Sequence, residues 1–311
     1  MRRSGRFRQR AIVILMLVLL TTAAPVMAVI EAEEAFLNTW KRTDQPVQEE
    51  LASRTWMWGP SPNTTVLSEA YLEHATGMRS VQYWDKSRME INDPNTDSTD
   101  QWYVTNGLLA RELMTGNMQF GDNEFQQYDP ADVHVAGDPD GGAPSYAVFG
   151  ELMDVRSFPP GMQLPSEPIT QTVDSSGAIG NETSLATYDV RAAHYSPLTD
   201  HYIASVFWDF MHLTGPIAYH SPDGEMFTDG RLFEDPFYAA GLPLTEPYWV
   251  YATVDDFDQW VLVQAFERRI LTYTPGNEPG WRVEAGNVGQ HYYIWRYGEP
   301  PEYDPPEYQN D

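Results

Sequence analysis

The chain contains no cysteine. Disulfide frameworks, thiolate metal centres, iron–sulfur clusters, thiol nucleophiles and the lipid-bearing cysteine of an exported lipoprotein are therefore all excluded. Positive charge is scarce, with 19 Lys and Arg against 45 Asp and Glu and a formal net charge of −26 over 311 residues. Affinity for a phosphate backbone comes from cations that release counterions, so nucleic acid is not an expected partner. Catalytic signatures are also lacking. There is no Gly-x-Ser-x-Gly elbow, His-Glu-x-x-His pair, Ser-x-x-Lys set, Walker loop or Gly-x-Gly-x-x-Gly turn, so no nucleotide site or standard hydrolase site is expected.

Only one stretch is strongly apolar along its whole length, Ala11 to Leu20. Arg2, Arg3, Arg6, Arg8 and Arg10 precede it without an acid, and small residues follow it up to Ala28, which is the order of a signal peptide. The expectation is removal of residues 1–28, a mature chain starting at Val29, and a secreted or cell-surface location. Contact with the membrane follows only if the segment is left uncleaved. Loss of the five arginines takes the formal charge from −26 to −31.

What remains is rich enough to fold: 42% of residues are hydrophobic and 13% aromatic. Residues from Glu31 to about Leu51 read as a helix, with Phe36, Leu37 and Trp40 on one face and acids in the first turn. From Thr55 onward, short alternating segments rich in Val, Tyr, Trp and Thr are separated by turns such as Gly59-Pro60, Asp93-Pro94, Pro222-Asp223-Gly224 and Pro275-Gly276. Short helices are expected near Leu108 to Met114 and Tyr202 to His212. The tail PPEYDPPEYQND reads as extended and polyproline-like. The fold class is mainly β, a β-rich α+β protein with a few short helices.

Comparison of the chain with itself yields a repeat. Val81-Gln82-Tyr83-Trp84-Asp85-Lys86 matches Val263-Gln264-Ala265-Phe266-Glu267-Arg268, and Trp102-x-Val104-x-x-Gly107 matches Trp281-x-Val283-x-x-Gly286. Upstream, Gly59, Pro62, Thr64, Glu69 and Tyr71 align with Gly241, Pro243, Thr245, Glu246 and Tyr248. Two related β-hairpin modules are thus expected to flank a β- and loop-rich middle segment. The resulting division is 29–116, 117–205 and 206–298, with a Pro-rich tail at 299–311. Gln82 and Gln264 fall on a partly buried face, where an amide satisfies backbone groups at the hairpin base. Asp85 with Arg88, and Glu267 with Arg269, read as ion pairs at the turns.

The segments FERRILTYTPGNEPGWRVEAGNVGQHYYIWRYG, GLPLTEPYW, VQYWDKSRMEIN and TNGLLARELMTG resemble a family of exported bacterial proteins to which no activity is assigned. The Gly-x-Pro-x-x-Glu turn followed by Gln-x-Phe is also loosely similar to LGFP-type repeats of cell-wall enzymes, a resemblance that implies an envelope-binding role. This chain differs in having two longer, separated copies, with Gly241-Leu242-Pro243 lacking the Phe.

Three constellations are candidates for chemistry. His194 and His201, with Asp200 between them, match no standard ligand spacing and read as hydrogen-bonded loop histidines. The loop from Asp129 to Gly142 offers Asp138 and Asp140 to Ca²⁺, although its Asp and Gly also suit a solvated turn. No other cofactor is expected. The aromatic excess points to carbohydrate, whose apolar ring faces stack on indoles, with Trp84, Trp102, Trp249, Trp281 and Trp295 as candidate binding residues. The leading expectation is an exported, non-enzymatic protein that binds envelope or extracellular glycan. The alternatives are a hydrolase of envelope polysaccharide using a carboxylate pair and a Ca²⁺-dependent adhesion or surface protein.

Overall fold

A computed structural model describes residues 29–139, 141–156, 165–221 and 224–303. Residues 1–28, expected from the sequence to be a signal peptide, and the tail beyond Tyr303 lie outside the described residues. The fold is mainly β, of the β-rich α+β kind, and among the described residues no sheet closes into a barrel. Among the described residues no helix is long and apolar enough to cross a membrane.

Helix α1 covers 29–48. It is followed by an antiparallel meander of β1 (Leu67–Ala70), β2 (Met78–Tyr83), β3 (Arg88–Ile91) and β4 (Thr105–Asn106), and then by α2 (Leu109–Thr115). A small hairpin of β5 (Asn117–Gln119) and β6 (Phe125–Gln127) leads to α3 (Tyr146–Glu151). Strands β7 (Gln171–Val173) and β8 (Ile179–Asn181) come next, then the pair β9 (Ala192–Ser196) and β10 (His201–Ala204), and α4 (Ser205–Met211). The ribbon of β11 (Thr214–Ser221) and β12 (Gly224–Arg231) and the short α5 (Phe237–Ala240) precede the second meander. That meander comprises β13 (Tyr248–Val254), β14 (Phe257–Ala265), β15 (Ile270–Tyr273) and β16 (Val283–Ala285), and α6 (Val288–Tyr297) closes the fold. The β13–β14 turn needs two left-handed residues. Asp255 and Asp256 supply them at φ 51° and 66°, a conformation that aspartate tolerates better than most residues.

The two meanders share one register. Gln82 pairs with Met89 as Gln264 does with Leu271, Tyr83 with Arg88 as Ala265 with Ile270, and Leu67 with Val81 as Tyr248 with Val263. Pro62 bridges to Trp84 and Pro243 to Phe266, while the Thr64 and Thr245 hydroxyls accept from the N–H groups of Tyr83 and Ala265. This register corrects part of the sequence alignment. Leu67 stands where Tyr248 does, so Glu69 matches Val250, and Glu246 precedes β13 altogether. The middle segment forms no separate layer, because β7 joins β13 in parallel at Trp249–Thr172 and extends the second sheet to six strands.

Alternation along the strands sends each sheet's two faces to different cores. Val81 and Tyr83 from one sheet and Val263, Ala265 and Ile270 from the other enclose α2, α3 and α6 in a central core. The outer face of the first sheet, with Trp84, Met89 and Ile91, packs on Phe36 and Trp40 of α1. That of the second, with Trp249, Leu262, Phe266 and Leu271, packs on Phe207 and Met211 of α4. The helices cross over between modules. Gln290 N–H at the start of α6 donates to Asp85 O in the first module's turn, and Arg111 N–H at the start of α2 donates to Glu267 O in the second's. Gly289 allows this approach, since a Cβ there would lie 1.9 Å from Trp84 O.

Candidate functional site

The five candidate tryptophans do not assemble. Trp84 and Trp249 are 0% exposed: Trp84 stacks on Trp40 at 6.0 Å, and Trp249 donates its indole N–H to Ile169 O at 2.8 Å. Both are core residues and have no face to offer a sugar, which corrects the expectation for these two. Trp295 donates to Asp129 O at 2.9 Å and packs against Tyr128 and Tyr292. Trp281 ends a 3-10 turn, Pro279–Trp281, and is partly exposed. Trp102, at 39% exposure, is the member of the set that faces solvent most openly.

The other candidates are occupied with structure. Asp138 accepts from Asp255 and Asp256 N–H at 3.4 and 3.2 Å and so pins the β13–β14 turn, while Asp140 lies outside the described residues. Among the described residues no group of three or more His, Asp or Glu could hold a metal ion. His201 is buried between Met153 O at 3.1 Å and Glu246 at 3.5 Å, whereas His194 stacks flat on Trp208 at 4.0 Å. The two histidines therefore serve different contacts. Gln82 and Gln264 act as the sequence suggests: Gln82 donates to Thr64 O at 3.1 Å, and Gln264 to Thr245 O at 2.9 Å and Tyr202 O at 2.6 Å.

The turn ion pairs do not form. Arg88 reaches Glu69 at 3.1 Å and Glu90 instead of Asp85. Asp85 accepts from Asn63 and Gln290 side chains, Glu267 from Leu242 N–H, and Arg269 donates to Met57 O and Asn106 Oδ1. The reason is burial. A guanidinium at 0% exposure must find partners inside, and for Arg88 these are Glu90 on its own strand β3 and Glu69 on β1, two strands away. A buried network results. Arg79 holds Glu90 at 2.8 Å, Arg296 of α6 reaches Glu69 at 3.4 Å, and the Tyr83 and Tyr297 hydroxyls donate to Glu69. Burial alone would raise the Glu69 pKa, but Arg88, Arg296 and the Tyr83 hydroxyl outweigh it and hold the carboxyl at about 2. In the second meander the matching positions are Val250, Ala265 and Ile270, so the same register packs there without charge.

An open cleft of about 560 Å³ lies between α1 and the Pro94–Val104 segment, within the size range of small-ligand sites. One wall is a stripe of α1: Glu31, Glu34, Ala35, Asn38 and Arg42, spaced to share one helical face. The facing loop is shaped by aspartates that accept from backbone N–H groups, Asp93 from Asn95 at 3.0 Å, Asp97 from Thr99 at 2.9 Å and Asp100 from Trp102 at 2.8 Å. These bonds hold Asp93 and Asp97 below the usual carboxylate range. Tyr103, Phe233 and Tyr238 supply the aromatic lining. Phe233 lies 4.8 Å from Tyr238, whose other edge meets Trp102 at 5.1 Å, so the rings form a row beginning at the one solvent-facing candidate tryptophan. Burial raises the Tyr103 phenol, and the Glu31 carboxylate adds to it.

Sequence reasoning named Trp102, which does not itself line the cleft but meets its Tyr238, and did not name Tyr103, Phe233 or the α1 stripe. A polar face on α1 opposite Phe36 and Trp40 was legible; that it faces residues some seventy positions later was not. No protein-family model matches the chain, and no curated protein or solved structure matches it either.

Proposed function

We propose that this is a non-enzymatic binding protein acting outside the cytoplasm, and that it recognises glycan in the cleft between α1 and the Pro94–Val104 loop. The carrying observation is the juxtaposition in one open cleft of an aromatic lining, Tyr103 and Phe233, with the hydrogen-bonding side chains of Asn38, Thr39 and Ser98. Sugar rings stack on such faces while their hydroxyls bond amides and hydroxyls.

Binding is favoured over hydrolysis by where the perturbed carboxyls lie. A glycosidase needs a general acid with a raised pKa at the scissile bond. Burial raises Asp44, to about 6, and also Glu112 and the partly buried Glu284, but none of the three lines the cleft. Asp44 accepts from Met57, Trp58 and Gly59 N–H at 2.7–3.1 Å, a structural clamp between α1 and the first module. The shared register supports a further part of the reading, that the modules arose from one by duplication. Val104 and Val283 stand at matching positions, and each lines a groove beside its own meander.

A glycan array, followed by calorimetry on the best oligosaccharide, tests the reading. Tyr103→Ala and Phe233→Ala should each weaken binding about tenfold. Unchanged affinity in both variants would move the site elsewhere, and release of reducing ends would establish the hydrolase alternative.

A further inference from the structure

The cleft is unbalanced in charge. Glu31 and Glu34 lie one turn apart on its α1 wall, and among the described residues neither has an ion-pair partner. The cleft's guanidinium does not answer them. Arg42 donates to Leu232 O and Arg231 O at 3.0 Å each and lies 3.7 Å from Glu234. Asp100 adds a third carboxylate from the opposite wall.

Tyr103 lines the same cleft as Glu31 and Glu34, which puts an aromatic face and two carboxylates in one site. A sugar stacked on Tyr103 would present its substituents to a cleft whose α1 wall carries Glu31 and Glu34. A neutral substituent leaves those charges unmatched, and an acidic one meets like charge. An ammonium group gains from both carboxylates and from the ring's electron-rich face.

We propose that the cleft selects glycans bearing free amino groups, amino sugars without N-acylation, over neutral and acidic ones. The inference rests on the reading of the cleft as a glycan site.

Calorimetry with the exported protein tests it, using glucosamine oligomers and N-acetylglucosamine oligomers of equal length at mildly acidic pH. The glucosamine oligomer should bind about fivefold more tightly, the size expected of two solvent-exposed ion pairs together. The preference should shrink with added salt. In the Glu31→Gln, Glu34→Gln double variant the two oligomers should bind alike. Equal affinity in the unaltered protein, or a preference that survives in the double variant, would overturn the selection and leave the cleft a glycan site. Spermidine binding as tightly as the glucosamine oligomer would overturn the saccharide part. Failure to bind either oligomer, or any other glycan on the array, would overturn the underlying reading as well.

Discussion

Replacing Arg88 by Met tests whether the buried network holds α6 to the first meander. The guanidinium is fully buried, donates to Glu69 at 3.1 Å and to Glu90 through both Nε and Nη2, and lies over the Tyr292 ring at 4.9 Å. Removing one partner of a buried pair costs about 3–5 kcal/mol, because the remaining charge is left uncompensated. Here the lower figure applies, since Glu69 keeps Arg296 at 3.4 Å and Glu90 keeps Arg79 at 2.8 Å. A loss of about 3 kcal/mol corresponds to a fall in Tm of roughly 5 °C for a chain of this size. The pH dependence adds a second signature. Glu69 is depressed from 4.5 to about 2 in the folded state, so its stabilisation is complete above the unfolded value and is lost as pH falls from about 4.5 to 2. That contribution is about 3 kcal/mol. Arg88→Met should therefore flatten the acid limb as well as lower Tm. Circular dichroism melts of both proteins from neutral pH to about 3 measure this. A variant that melts within about 2 °C of the unaltered protein, with an equally steep acid limb, would refute the assignment of Glu69's depression to Arg88.

Gln264→Leu leaves Tyr202 O, Thr245 O and Ala204 N–H without their buried partner and should cost about 3 kcal/mol, more than Gln82→Leu, in chemical denaturation; equal losses would contradict the contact difference. His291 is lowered to about 4 by burial and neighbouring Lys86, so the folded state prefers it neutral, and stability should decline as pH drops from about 6.5 to 4. His291→Phe should remove that part of the decline, at the expense of the Tyr146 contact at 3.0 Å. Asp138→Ala frees the β13–β14 turn and should lower Tm by a few degrees, about 1 kcal/mol, equally in chelator and in calcium. A loss confined to calcium would show instead that the loop is a cation site.

The sequence by itself determined what depends on near neighbours. Alternation and turn residues predict the β14–β15 hairpin around Glu267-Arg268-Arg269, and the two glutamines sit where local pairing needs an amide. Tertiary structure alone decided which aromatics are core. Trp84 and Trp102 are alike as letters, but one is covered by Trp40 of α1 and the other projects past Tyr238. It decided the ion pairs too. Glu69 and Arg88 lie on different strands, and Arg296 arrives on α6 from the far end of the chain, so no local spacing encodes the network. The cleft is the extreme case, because Glu31 and Tyr103 belong to elements that meet only after α1 has packed its Phe36–Trp40 face against the first sheet. Periodicity records which face of an element avoids water; it does not record which other element will cover that face.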